Sequence, residues 1–295
     1  MKYHSSEFPH ETVPPNLANW LTWLFLFAGL AFFSVLLLAQ NTTDPVPTKY
    51  VEPEWIEEKP LRKVENLGRV LSDIESHMPK GHIYTDPDYI TWGHETTHGI
   101  HSRLRNKYSR KSTYMLDEGL KATCISLDKI NCFYVLENRA IVLKEPKTTI
   151  TVARPYVPLS LRGPVWHLYM HSSAWDHYPL YIFDEWVAYC NGSAVRHDLK
   201  IKQRSETVTY ALELNVYAMA ILEAGFKAEK TSDPKLRNFF MWNTERTMEL
   251  YRKNGPTEVQ KAYLKRLRTS EDAEDLRRFV RNLCGEEWTK KTLGF

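Results

Sequence analysis

Residues 92–101 read Trp-Gly-His-Glu-Thr-Thr-His-Gly-Ile-His, and no other stretch limits the fold as sharply. Histidines four residues apart share a face on an α-helix, so His94 and His98 ask for a helix here and for a second element to complete whatever they hold. Their imidazoles can then reach one Zn2+ and leave positions open for water, with Glu95 beside that water as the base that takes its proton. A helix start lies upstream. Asp86 is suited to accept from the first free backbone N–H groups, Pro87 to the first helical position and Asp88 to the positive end of the dipole, so the helix is expected to run through Trp92 to about Arg105. Gly93 and Gly99 flank the pair although glycine is a poor helix former, which points to close approach by another element. The competing account, two histidines and a glutamate on a solvated helix face, leaves those glycines unexplained.

An open zinc site needs a third protein ligand, and four residues compete for the place. His101 continues the same helical face, but three ligands from one straight helix do not converge easily on one ion. Glu118 lies twenty residues past His98, a spacing similar to that in thermolysin-like enzymes, yet Asp117-Glu118-Gly119 has the form of a turn. Glu185 stands among Phe183, Trp186, Val187 and Tyr189 on an expected helix, where a carboxylate is costly unless paired or metal-bound. It is the preferred ligand, and its neighbour Asp184 is the next choice.

On His94, Glu95, His98 and Glu185 the chain resembles the zincin metallopeptidases, and within them the gluzincins, where a glutamate on a second helix completes the site. The long interval between motif and acid is most similar to the catalytic domain of anthrax lethal factor. That resemblance implies zinc-dependent hydrolysis of peptide bonds. It also implies an oxyanion-holding tyrosine seven residues before the ligand glutamate, the place of Tyr178, with Tyr181 and Tyr189 as rivals. The metzincin pattern is absent, because Leu104 stands where its last histidine belongs. His167 and His171 form another pair at helical spacing, but no glutamate follows His167; core packing is the simplest role, and His171 or His177 contacting substrate is the alternative. The resemblance covers about residues 94–189 and does not extend to substrate identity.

A second strong feature is residues 17–39, apolar around the whole helical circumference inside a longer uncharged stretch. At about 1.5 Å per residue they reach roughly 34 Å, enough to cross a bilayer core. A cleavable signal peptide is the rival, but this stretch is longer than a signal's apolar region and only Lys2 decorates its start. The expectation is an uncleaved single-pass anchor after a short tail, residues 1–16, with the catalytic body on the extracytoplasmic side. The sequons at Asn41 and Asn191 suit that side but add little. Residues 40–60, rich in proline and acid, form a linker, and the folded body spans residues 61–295.

Within the body, apolar residues from Val64 to Met78 recur at helical spacing. Four segments then alternate like strands: ATCISL, NCFYVL, AIVLK and TITVA, with short breaks that imply an antiparallel meander. Cys124 and Cys132, at facing ends of the first hairpin, are candidates for a disulfide or for two buried thiols. From about residue 165 onward the pattern is helical, and the helices after Val195 have the stripes of a structural cover. The expected fold is therefore α+β: a zincin-like domain with an antiparallel meander and a helical C-terminal half, preceded by one transmembrane helix. A formal charge of +3, spread without basic runs, gives no footprint for nucleic acid. The implied partners are a peptide or protein substrate and a membrane, and the implied cofactor is Zn2+. A tethered scaffold that keeps the fold without hydrolysis, or a non-peptide metal hydrolase, is the alternative.

Overall fold

Helical periodicity, more than strand alternation, decides this architecture. The computed structural model describes residues 49–109, 111–114, 123–126, 129–202 and 206–295, which belong to one unit, Asp44–Phe295. A two-residue strand β1 (Ile56–Glu57) is followed by α1 (Gly68–Ser76) and by the long α2 (Tyr89–Tyr108) that carries the histidine pair. Four strands come next: β2 (Lys111–Tyr114), β3 (Thr123–Ser126), β4 (Ile130–Tyr134) and β5 (Arg139–Lys144). Short helices α3 (Ile150–Ala153) and α4 (Trp166–Met170) lead to α5 (Tyr181–Asp198). The remainder is α6 (Thr207–Glu229), α7 (Pro234–Lys253), α8 (Glu258–Thr269), α9 (Glu274–Cys284) and α10 (Glu286–Thr292).

The α+β expectation is corrected: the described residues are mostly helical, with one small antiparallel sheet in the order β1-β5-β4 and a separate β2-β3 pair. The meander fails at both ends. β3 pairs with β2, not with β4, so the hairpin expected to bring Cys124 towards Cys132 does not form, and Cys132 is a buried free thiol. At the other end, the β-branched run at 149–152 folds as α3, because Thr149 Oγ1 accepts from Val152 N at 3.2 Å and caps a turn. Asp176 fixes that turn by accepting from Thr151 N at 2.7 Å. The middle hairpin forms as expected, Phe133 opposite Ile141, with Leu136, Glu137 and Asn138 at positive φ in its turn. No helix among the described residues is long and apolar enough to cross a membrane; residues 17–39, with Asn41, lie outside them.

The helices after Val195 are more than a cover. α6 is buried along nearly its whole length, from Thr207 to Gly225, and its residues join Phe183, Trp186, Phe239 and Phe240 in the main core. A helix apolar on all sides must be wrapped, and α5 and α7 pack against it. Residues 50–58 also lie on the body, with Trp55 edge-on to Trp242 at 4.7 Å and β1 paired to β5.

Two glycines let α5 approach α2. A Cβ on Gly93 would stand 2.8 Å from Val195 Cγ2, and one on Gly192 would stand 3.1 Å from the Ile90 carbonyl oxygen. Gly93 was anticipated from its motif; Gly192 belongs to the sequon of Asn191, which is fully buried with its amide donating to Thr97 and to Tyr134 O. On the other side of α2, Glu75 of α1 accepts from Trp92 Nε1 at 2.7 Å and from Thr96 Oγ1 at 3.1 Å, and pairs with Arg62. The motif helix is thus fixed from two directions.

Glu213 of α6 gives the fold a pH signature. It is 1% exposed and accepts from Val165 N and from the Tyr217 hydroxyl, and burial pushes its carboxyl up to about 7 against those two bonds. A folded-state value above the ordinary 4.5 means a contribution to stability that is present below that value and lost as pH rises through about 7. Glu213→Gln is expected to be more stable than the parent at about pH 8 and to lose less stability between about pH 5 and pH 8, read by urea unfolding. An unchanged pH dependence contradicts this.

Candidate metal centre

Asp88 starts α2, accepting from Ile90 N at 3.1 Å and from Thr91 Oγ1 at 2.8 Å, while Asp86 accepts from Asp88 N at 2.7 Å. The cap is therefore two residues later than the sequence suggests, and Pro87 precedes the helix instead of opening it. From this start the helix runs unbroken to Tyr108, so His94 and His98 share a face.

Their Nε2 atoms stand 3.1 Å apart, and Glu185 Oε2 of α5 is 3.5 Å from each. Donors bound at about 2.0–2.2 Å to a tetrahedral zinc stand about 3.3–3.6 Å from one another, so the three atoms already lie near the spacing of one coordination shell. Two nitrogens and a carboxylate oxygen are also a donor set that zinc accepts. His94 and Glu185 are buried and His98 is half-buried, which leaves an outer side. Glu95 stands there, 49% exposed, with Oε1 3.9 Å from His94 Nε2.

Asp184, the competing ligand, faces the other nitrogens. Its Oδ1 accepts from His98 Nδ1 at 2.6 Å and from His101 Nδ1 at 2.9 Å, and its Oδ2 accepts from Arg105 Nη1 at 2.5 Å. His98, His101 and Asp184 form a second group with metal-compatible chemistry. Its donors are already joined by hydrogen bonds at distances too short for a coordination shell, and the Arg105 cation neutralises its carboxylate. The Glu185 group is the better fit. Asp184 instead orients His98, with the Nδ1 proton held by the carboxylate and Nε2 turned towards Glu185.

The charges fit this arrangement. Burial opposes ionisation of Asp184, yet the His101 and His98 imidazoles hold its carboxyl well below the usual range. Burial likewise opposes charge on Glu185, but hydrogen bonds from His94 and His98 bring it down to about 2. For His98, burial is outweighed by hydrogen bonds to Asp184 and Glu185, which push it up to about 10. Burial dominates at His101 and lowers it, so it stays neutral and donates through Nδ1. Arg105 and a proton on His98 together supply the positive charge that the two buried carboxylates require. His94 Nδ1 and His101 Nε2 have no hydrogen-bond partner among the described residues.

The candidate tyrosines differ in what they touch. Tyr178 is exposed in the turn before α5, where Lys129 Nζ lies 5.9 Å from its ring. At the cluster stand Tyr169, whose hydroxyl donates to Glu185 Oε2 at 3.0 Å, and Tyr189, 2.9 Å from the Tyr169 hydroxyl with its ring 4.3 Å from His94. Tyr181 also meets Glu185, whose charge adds to burial in raising its phenol. Tyr169 was missed in sequence; the stripe of Trp166, Tyr169 and Met170 was the signal that it points inward. His167, His171 and His177 are exposed, and none joins a metal-compatible group among the described residues. Glu118 lies outside the described residues.

If Asp184 orients His98, Asp184→Asn should leave the three ligand atoms present and weaken zinc binding about 10- to 100-fold, as removal of such partners does. Competition with a chromophoric chelator measures this. Parent-like affinity in a folded Asp184→Asn contradicts the orienting role.

Comparison of the chain with protein-family models, with curated proteins and with solved structures finds no match.

Proposed function

We propose that the protein is a zinc-dependent hydrolase of peptide bonds, in which His94, His98 and Glu185 hold the ion and Glu95 is the general base. One observation carries this reading: the convergence of the three donors at 3.1–3.5 Å with a second carboxylate, Glu95, on their open side. When bound, the ion supplies Lewis acidity towards a carbonyl oxygen and towards water. Glu95 takes the proton of the attacking water and returns it to the leaving amine; its half-exposed position lets it face both water and substrate. Glu185, held by the Tyr169 hydroxyl, and His98, held by Asp184, keep their donor atoms in place. Peptide bonds are preferred over other carbonyl substrates on the resemblance to gluzincins, which rests on His94, Glu95, His98 and Glu185. A scaffold without chemistry has no use for Glu95 beside the donors, and that position favours the enzyme.

Glu95→Gln separates chemistry from binding. It is expected to stay folded, to bind zinc as the parent does and to cleave a peptide library about 10²- to 10⁴-fold more slowly. Full cleavage by the variant contradicts the base assignment, and loss of zinc together with activity makes Glu95 part of the metal shell.

A further inference from the structure

Away from the metal cluster, a cavity of about 800 Å³ opens between α1, the β4–β5 turn, α5, α7 and α10. That volume lies within the range of small-molecule sites, roughly 300–1,000 Å³. None of His94, Glu95, His98 and Glu185 lines it.

Its lining carries six Lys and Arg cations against five carboxylates, and the two sets are only partly paired with one another. Each lining carboxylate already has a donor: Asp73 takes the Tyr134 hydroxyl, Glu137 takes Arg69 and Arg139, Asp198 takes Val70 N, Glu245 takes Trp288 Nε1, and Glu249 pairs with Lys253. Three lining cations, Arg246, Arg252 and Lys291, make no ion pair among the described residues. Arg246 is the innermost of them, half-buried, while the other two are exposed at the rim. Its guanidinium donates to Asn191 Oδ1 at 2.5 Å, and its Nη1 has no hydrogen-bond partner among the described residues. A second guanidinium stands close by, since Arg139 and Arg246 lie 5.4 and 5.6 Å from the centroid of the same Trp242 ring. Cations withdrawn from water are ordinarily paired, and a guanidinium fork is suited to carboxylate or phosphate oxygens. Trp242, Val70 and Ala194 add apolar lining against which the carbon body of a ligand can pack.

We propose that this cavity binds a small organic oxyanion, with Arg246 as its inner anchor and Arg252 and Lys291 as its outer ones. Phosphate esters and polycarboxylates share the required chemistry, oxygens bearing more than one negative charge on a compact body. The proposal is independent of the metal chemistry, although Asn191 links the inner anchor to Thr97 of α2, one residue before His98.

The test is calorimetric titration of the purified full chain with pyrophosphate and, separately, with citrate, at an ionic strength held constant with sodium chloride so that screening does not vary. The expected result is saturable binding of at least one probe at one site per chain; pyrophosphate alone points to a phosphate ester, citrate alone to a polycarboxylate, and both to their shared chemistry. Arg246→Met is expected to weaken it about tenfold or more, the loss of a charge-assisted contact. Should that variant not fold, Arg252→Ala combined with Lys291→Ala decides the matter, since both side chains are exposed; a several-fold loss supports the site. No saturable binding of either probe, or unchanged affinity in the folded variants, overturns the proposal.

Discussion

Asp184 carries its charge at 3% exposure, and it can do so because three donors from α2 converge on it. An unpaired carboxylate in that place would protonate or force the helices apart. With His98, His101 and Arg105 supplied, it becomes the bond that sets the rotation of α5 against α2. The rest of the centre follows from this rotation. Once Asp184 faces the Nδ1 side of His98, the next residue, Glu185, reaches the Nε2 side of both His94 and His98, where an ion would sit.

Such a crossing needs space and support. Gly93 and Gly192 supply the space by removing side chains where α2 and α5 approach each other. Support comes from α6, wrapped by apolar residues of α5 and α7, and from Glu75, which holds Trp92 and Thr96 on the far side of the motif helix. The candidate metal centre is thus built on helix–helix packing, with the small sheet at its flank. That allows donor atoms to be held within a few tenths of an ångström while Glu95 remains on the wet side.

Local signals carried well from sequence to structure. The spacing of His94 and His98 fixed a helix and a shared face, and the apolar setting of Glu185 marked it as an acid with a partner. The β4–β5 hairpin and the helices from residue 207 onward also follow their periodicity. What did not carry was non-local. Threonine and valine at 149–152 have strand propensity, but one cap and one aspartate from 25 residues away, Asp176, turn them into a helical turn. β3 has a strand pattern that says nothing about its partner, so its pairing with β2 could not be read. Tyr169 is likewise invisible as a site residue until α4 is placed beside α5, because sequence distance from the motif carries no information about approach.

The central claim is that His94, His98 and Glu185 form one metal shell with Asp184 outside it. Metal content per chain, measured on the parent, Glu185→Gln and His101→Gln after growth with zinc and gel filtration, tests it most directly. The account predicts one zinc in the parent, little in folded Glu185→Gln because a neutral amide is a poor zinc ligand, and zinc retained in His101→Gln. A parent without metal, or zinc kept by Glu185→Gln and lost from His101→Gln, would contradict it.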